Sequence, residues 1–186
     1  MIDRRLAAAV SAARAVPLAE ARPPDSSSAY LLYYQGGLPL YQPVVAAQTP
    51  IYVGSAKNVR RRLGEHRSSI RAVRSLNVAD FMARLIETPT HDAAVYAESR
   101  LITLYRPVWN LDELAGFGSK HQGLGRIAAQ EPSPWDTIHP GRPWARPPEM
   151  RTRRRLLNAA QTAVSPAKEE ANVDPERLGQ QAEATL

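Results

Sequence analysis

Arg62 and His66 stand four positions apart, a separation that stacks two side chains on one face of a helix, one turn from each other. Such a pair joins a permanent cation to a ring that titrates near neutrality. Glu98 has the opposite charge and an unusual setting. On a helix its neighbours at i−4, i−3, i+3 and i+4 are Ala94, Val95, Leu101 and Ile102, so its carboxylate rises from an apolar stripe. A charge there is costly unless a basic side chain or a bound cation pairs with it, although an edge glutamate or a structural ion pair has the same pattern. Tyr30 and Tyr52 lie in two short strand-like runs, where tyrosine packs more often than it reacts. Between residues 57 and 74 seven basic side chains are opposed by Glu65 alone. Like charges one turn apart repel by roughly a few tenths of a kcal/mol. A phosphate backbone would turn that repulsion into attraction, while an exposed basic face without a partner is the other reading.

The elements that must position these residues follow from periodicity and punctuation. MIDRRLAAAVSAARAV reads as an amphipathic helix ended by Pro17, with Leu6, Val10 and Ala13 on one face. Its apolar part is short and interrupted by Arg14, which disfavours a secretory leader. PLAEARPPDSSS, residues 17–28, reads as a linker. AYLLYY (29–34) and IYVG are strands, joined through a Pro-rich insert at 36–50. Asn58 or Ser55 caps a helix running to about Ser75, DFMARLIE (80–87) is a third strand, and Thr90 or His91 caps a helix that ends at Arg106-Pro107. The order β-β-α-β-α predicts an α+β fold: a small, central, mainly antiparallel three-stranded sheet flanked by helices, with helical or irregular N- and C-terminal extensions.

Composition bounds the function classes. A chain of 186 residues, 44% hydrophobic, can bury one sizeable core. The net charge is +6 and the pI near 10.0, which favours a polyanionic partner. Residues 149–186 carry six basic and six acidic side chains, so the whole excess lies in residues 1–148. There is no cysteine, which excludes disulfides and thiolate metal sites and makes a reducing cytoplasm the simplest setting. No uninterrupted apolar run approaches the ~18 residues of a membrane span. RTRRRLLNAAQTAV has helical composition, and the remainder to residue 186 is polar and of flexible composition.

Taken in order, SAYLLYY, YVGSAKNVRRRLGEH and AESRLITLYRPVWN resemble the GIY-YIG nuclease superfamily over about residues 28–110. SAY (28–30) stands where the family has GIY and YVG (52–54) where it has YIG. Arg62 and His66 match the family's helical arginine and histidine, Glu98 its metal-binding glutamate and Asn110 its late asparagine. Ser28 and Ala29 depart from the first motif, and the 22-residue spacing of the tyrosines is longer than in minimal members. GFGSKHQGLGR (116–126) and SPWDTIHPGRPW (133–144) are similar to the type II restriction endonuclease branch.

The resemblance implies a GIY-YIG-like nuclease domain over residues 28–148 with a DNA-contacting or dimerising C-terminal arm, preceded by a helix and linker (1–27) and followed by a polar tail (149–186). It implies a Mg²⁺-dependent type II endonuclease cutting double-stranded DNA, with one ion held by Glu98 in each active site and Mn²⁺ as a substitute. Tyr30, Tyr52, Arg62, His66, Glu98 and Asn110 form the catalytic set. Arg60, Arg61, Arg67, Arg71, Arg74, Lys120, Arg126 and Arg142 are candidate DNA contacts, with Trp135 and Trp144 as groove contacts or packing anchors. A homodimer, a separately encoded DNA methyltransferase and a prokaryotic cytoplasm complete the expectation. A structure-specific or repair-type nuclease nicking one strand is the alternative within the superfamily. A catalytically inactive DNA-binding module would be expected to lack one of these residues. An RNA-associated protein would have no need of a lone core-facing carboxylate.

Overall fold

The computed structural model describes residues 2–118, 130–146 and 150–164. They run in the order α1 (Ile2–Ala12), β1 (Val16–Pro17), β2 (Ser28–Tyr34), α2 (Gln42–Ala46), β3 (Tyr52–Ala56), α3 (Val59–Arg71), β4 (Phe81–Glu87), α4 (His91–Tyr105), α5 (Pro134–Ile138) and α6 (Met150–Val164). Short 3₁₀ turns lie at Val108–Asn110 and Asp112–Leu114. The strands form one antiparallel sheet in the order β1-β4-β2-β3.

The unbroken apolar character of β2 has a simple cause: the strand is central and both of its faces are covered. Tyr30, Leu32 and Tyr34 enter the core shared with Leu63 and Ile70 of α3. Ala29 and Leu31 enter a second cluster with Val10 of α1 and with Ala97 and Leu101 of α4. The period-2 alternation of a strand thus divides the molecule into an α3 layer and an α1/α4 layer. β3 lies at the sheet edge, and Tyr52 and Ala56 share the α3 side while Val53 takes the other.

Helix ends are where polar signals put them. Asn58 Oδ1 accepts the Arg61 amide at 2.8 Å to start α3, and Thr90 Oγ1 accepts the Ala93 amide at 3.2 Å to start α4. Arg106 closes α4 in the left-handed conformation at φ 44°, and Pro107 follows. The buried stripe of α3 is Val59, Leu63, His66 and Ile70. That of α4 is Ala94, Ala97, Glu98 and Leu101.

Four expectations are corrected. The sheet has four strands rather than three, because Val16–Pro17 pairs with Ala83 and Met82 of β4. A proline is tolerated at such an edge, where its missing N–H is not needed by a neighbour. Residues 17–28 are accordingly not a loose linker: Leu18 and Ala21 are buried, and their carbonyls accept from Arg67 at 3.3 and 3.1 Å. The Pro-rich insert, expected as an irregular loop, carries α2 and sends Tyr41 and Val44 into the core. Residues 150–164, helical in composition but assigned to a polar tail, form α6, which is packed rather than loose: it buries Ala160 and Val164 and lays Leu156 and Leu157 against the same core. Their spacing of three and four is that of a helical apolar stripe. Residues 165–186 lie outside the described residues.

Candidate active site

Register brings the first pieces together. Tyr30 is opposite Gly54 in the β2–β3 pair, and a Cβ at Gly54 would come within 2.5 Å of the Tyr30 hydroxyl. The glycine of YVG is therefore the space into which the tyrosine fits. The Tyr30 hydroxyl then meets Nε2 of His66 at 2.7 Å, a fully buried hydrogen bond between β2 and α3. His66 lies on the core stripe of α3, and its ring stacks on Phe117 at 4.5 Å and 12°. Tyr52 packs edge-on to both, at 5.3 Å from His66 and 5.1 Å from Phe117.

Arg62, one turn before His66, covers the phenols. Its guanidinium bonds Glu65 at 2.7 Å and acts as a neighbouring cation on Tyr30 and Tyr52. Burial pushes the Tyr30 phenol well above its ordinary 10.0, with Tyr52 adding to the rise and the Arg62 cation opposing it. Burial likewise holds His66 well below 6.5, and the Arg62 and Arg142 cations push it in the same direction. At neutral pH the pair is therefore a neutral phenol bonded to a neutral imidazole.

Glu98 comes from the opposite layer. It is 8% exposed, and its Oε2 accepts from the Ser55 hydroxyl at 2.6 Å. Ser55 follows Gly54 on the edge strand β3, so the two layers meet by reaching around that edge. The result is a cleft of about 280 Å³ lined by Tyr52, Arg62, Ser55, Glu98, Asn110 and His91, with Gly116 and Gly118 along its wall. A Cβ at Gly118 would lie 2.3 Å from the Tyr52 hydroxyl and 3.5 Å from the Arg62 guanidinium, so only a glycine lets the chain pass there. Carboxylate and hydroxyl oxygens side by side are the hard donors that Mg²⁺ or Ca²⁺ prefers. Among the described residues no group of three or more His, Cys, Asp or Glu side chains could hold an ion unaided. A cation at Glu98 would thus complete its shell with water and substrate oxygens.

Asn110 reaches the cleft but uses both ends of its amide on one residue. It accepts the Val53 N–H and donates to the Val53 carbonyl, each at 2.8 Å. It thereby replaces a neighbouring strand at the free edge of β3 and acts as a positioning residue.

The expected DNA contacts separate. Arg142 is corrected outright: it is 4% exposed, ion-paired with Asp136, and donates to the Gly116 carbonyl at 2.7 Å. It also lies over Trp135 at 4.7 Å and Trp144 at 5.1 Å. Trp135 is fully buried and is a packing anchor. Arg67 holds the N-terminal segment, and Arg60 donates to the Pro23 carbonyl at 2.8 Å. Arg61 is exposed and paired with Glu65. Arg71 and Arg74 are exposed and line a separate open cleft of about 610 Å³ with Asn77 and Asp80. Lys120 and Arg126 lie outside the described residues.

Ser55, Phe117 and His91 were not singled out as site residues in the sequence. The glycines flanking Phe117 were its only signal. Ser55 and His91 were noted only as candidate helix caps. A family model described as the Eco29kI GIY-YIG domain matches residues 55–166, more than half of the chain, and spans Arg62, His66, Glu98 and Asn110. No curated protein matches the chain.

Proposed function

Because the chain belongs to the Eco29kI GIY-YIG domain family, a restriction endonuclease family of GIY-YIG nucleases, we propose that it is a type II site-specific deoxyribonuclease that hydrolyses double-stranded DNA. The observation that carries this reading is the meeting of Arg62 and Tyr52 with Glu98 and Ser55 around the β3 edge, in front of the Tyr30–His66 pair.

Hydrolysis of a phosphodiester needs a deprotonated water, neutralisation of charge on phosphorus oxygens and stabilisation of the departing 3′ oxygen. Tyr30 accepts the water proton as its own proton passes to Nε2 of His66, so the phenol ends neutral and the imidazole carries the charge. A depressed His66 is a weak base in the empty cleft. Burial is the main cause of that depression, and a phosphate against Arg62 offsets the part contributed by its cation, which raises the basicity of His66 to that extent when substrate is present. Arg62 presents its donor fork to the non-bridging oxygens, and Tyr52 orients the same phosphate. Glu98, braced by Ser55, would hold one Mg²⁺, which when bound would supply Lewis-acid stabilisation of the phosphate and leaving group.

One such site cuts one strand, so a double-strand break calls for a two-fold dimer, and host DNA would be protected by a separately encoded methyltransferase. Incubation with plasmid and Mg²⁺ followed by end mapping is the test. Discrete fragments with defined ends are expected. Random nicks would support the single-strand alternative, and intact plasmid with every divalent ion would sink the nuclease reading. Sedimentation on a duplex should detect two copies per cut site.

A further inference from the structure

Of the groups lining the cleft, His91 has no part in the chemistry above. It is the first residue of α4 and shares a face with Val95 and Glu98, at i, i+4 and i+7; all three line the cleft. Its Nδ1 is shielded from solvent without a hydrogen-bond partner, while the residue as a whole is partly exposed. A shielded nitrogen left without an acceptor is tolerated better as a lone pair than as an N–H. The ring hydrogen therefore belongs on Nε2, as a donor on the accessible side of the ring. Seven residues of helix separate the His91 and Glu98 backbones by about 10 Å at 1.5 Å per residue. The two side chains therefore enter the cleft at separate points along it.

We propose that His91 is a substrate-binding residue, its Nε2–H donating to a phosphate oxygen of the cleaved strand other than the scissile one. The ligand is the phosphodiester backbone, so the contact carries no base preference. It would fix the strand at a second point and so set which phosphate lies between Arg62 and Glu98. The inference rests on the nuclease reading.

The test compares the full chain with His91→Ala and His91→Gln in two assays. One is steady-state plasmid cleavage with Mg²⁺. The other is anisotropy of a labelled duplex with Ca²⁺ in place of Mg²⁺. His91→Ala should raise KM and the duplex Kd about tenfold, the loss of one hydrogen bond to a charged group, with kcat within about twofold. His91→Gln retains an N–H donor and should recover most of that loss; it also serves as the reporter if His91→Ala does not fold. Unchanged KM and Kd in His91→Ala, a glutamine variant that folds but binds as weakly as the alanine one, or a loss confined to kcat would each overturn the assignment. If the wild-type chain neither cuts nor binds DNA, the nuclease reading fails and takes this inference with it.

Discussion

Glu98 and Tyr30 divide the proposed chemistry between an ion and a proton, and each can be removed without emptying the core. Glu98→Ala takes away the carboxylate that would hold the cation. We expect Mg²⁺-dependent plasmid cleavage to fall by about 10³-fold or more, since Lewis-acid stabilisation is worth several kcal/mol. Duplex binding measured by mobility shift should stay within about threefold, and undiminished cutting would remove Glu98 from the site. Tyr30→Phe keeps the ring that fills the space over Gly54 and deletes only the hydroxyl bonded to His66. The expected loss is about 10²-fold in kcat. Stability should drop by about 1–3 kcal/mol, because a buried imidazole nitrogen loses its partner. A Tyr30→Phe enzyme with full kcat would place the proton transfer elsewhere.

Among the elements, the arm from Ser133 to Trp144 has the largest separation between expectation and structure. Its arginine and tryptophans have the chemistry of groove contacts, yet Arg142 is buried against Asp136, Trp135 and the Gly116 carbonyl. The Gly116–Gly118 segment that lines the cleft is thus pinned from behind by α5, which is locked by the Ser133–Asp136 capping box. Arg142→Ala strands the Asp136 charge in the core. A loss of about 3–5 kcal/mol is expected, read as a lowered urea midpoint. A DNA contact would behave differently: Arg142→Ala would then weaken duplex binding while leaving the midpoint in place. The edge strand β3 shows a related economy. Asn110 satisfies Val53 on both its N–H and carbonyl, so the strand end that carries Ser55 is fixed without a fifth strand.

For the whole molecule, two buried histidines make stability depend on pH. His139 bridges Tyr41 of the insert and Ser75 beyond α3, at 2.5 and 2.8 Å. Burial, with the Arg153 and Arg142 cations, lowers it to about 3, and His66 is displaced in the same direction. In the unfolded chain each titrates near ~6.5. Below that value the unfolded state takes up protons that the folded state does not. The stabilisation is therefore complete above about pH 6.5 and declines as pH falls toward 3, by up to about 1.4 kcal/mol per pH unit for each histidine. Urea unfolding between pH 7.5 and 5.5 should show a loss smaller by about 1 kcal/mol in His139→Gln than in the wild type; parallel curves would exclude His139 as a source. The sequence by itself carried the six residues proposed as catalytic, Tyr30, Tyr52, Arg62, His66, Glu98 and Asn110, because their order and spacing along strand and helix patterns resemble those of the family. It also carried the α+β order and narrowed the helix caps to Asn58 or Ser55 and to Thr90 or His91, between which the structure chose. Only the tertiary structure decided that β1 adds a fourth strand, that Arg142 is a core residue, and that Ser55, Phe117 and His91 join the cleft. Periodicity reports which face of an element is apolar, whereas these outcomes depend on which distant element covers that face and on two layers meeting around the edge of β3.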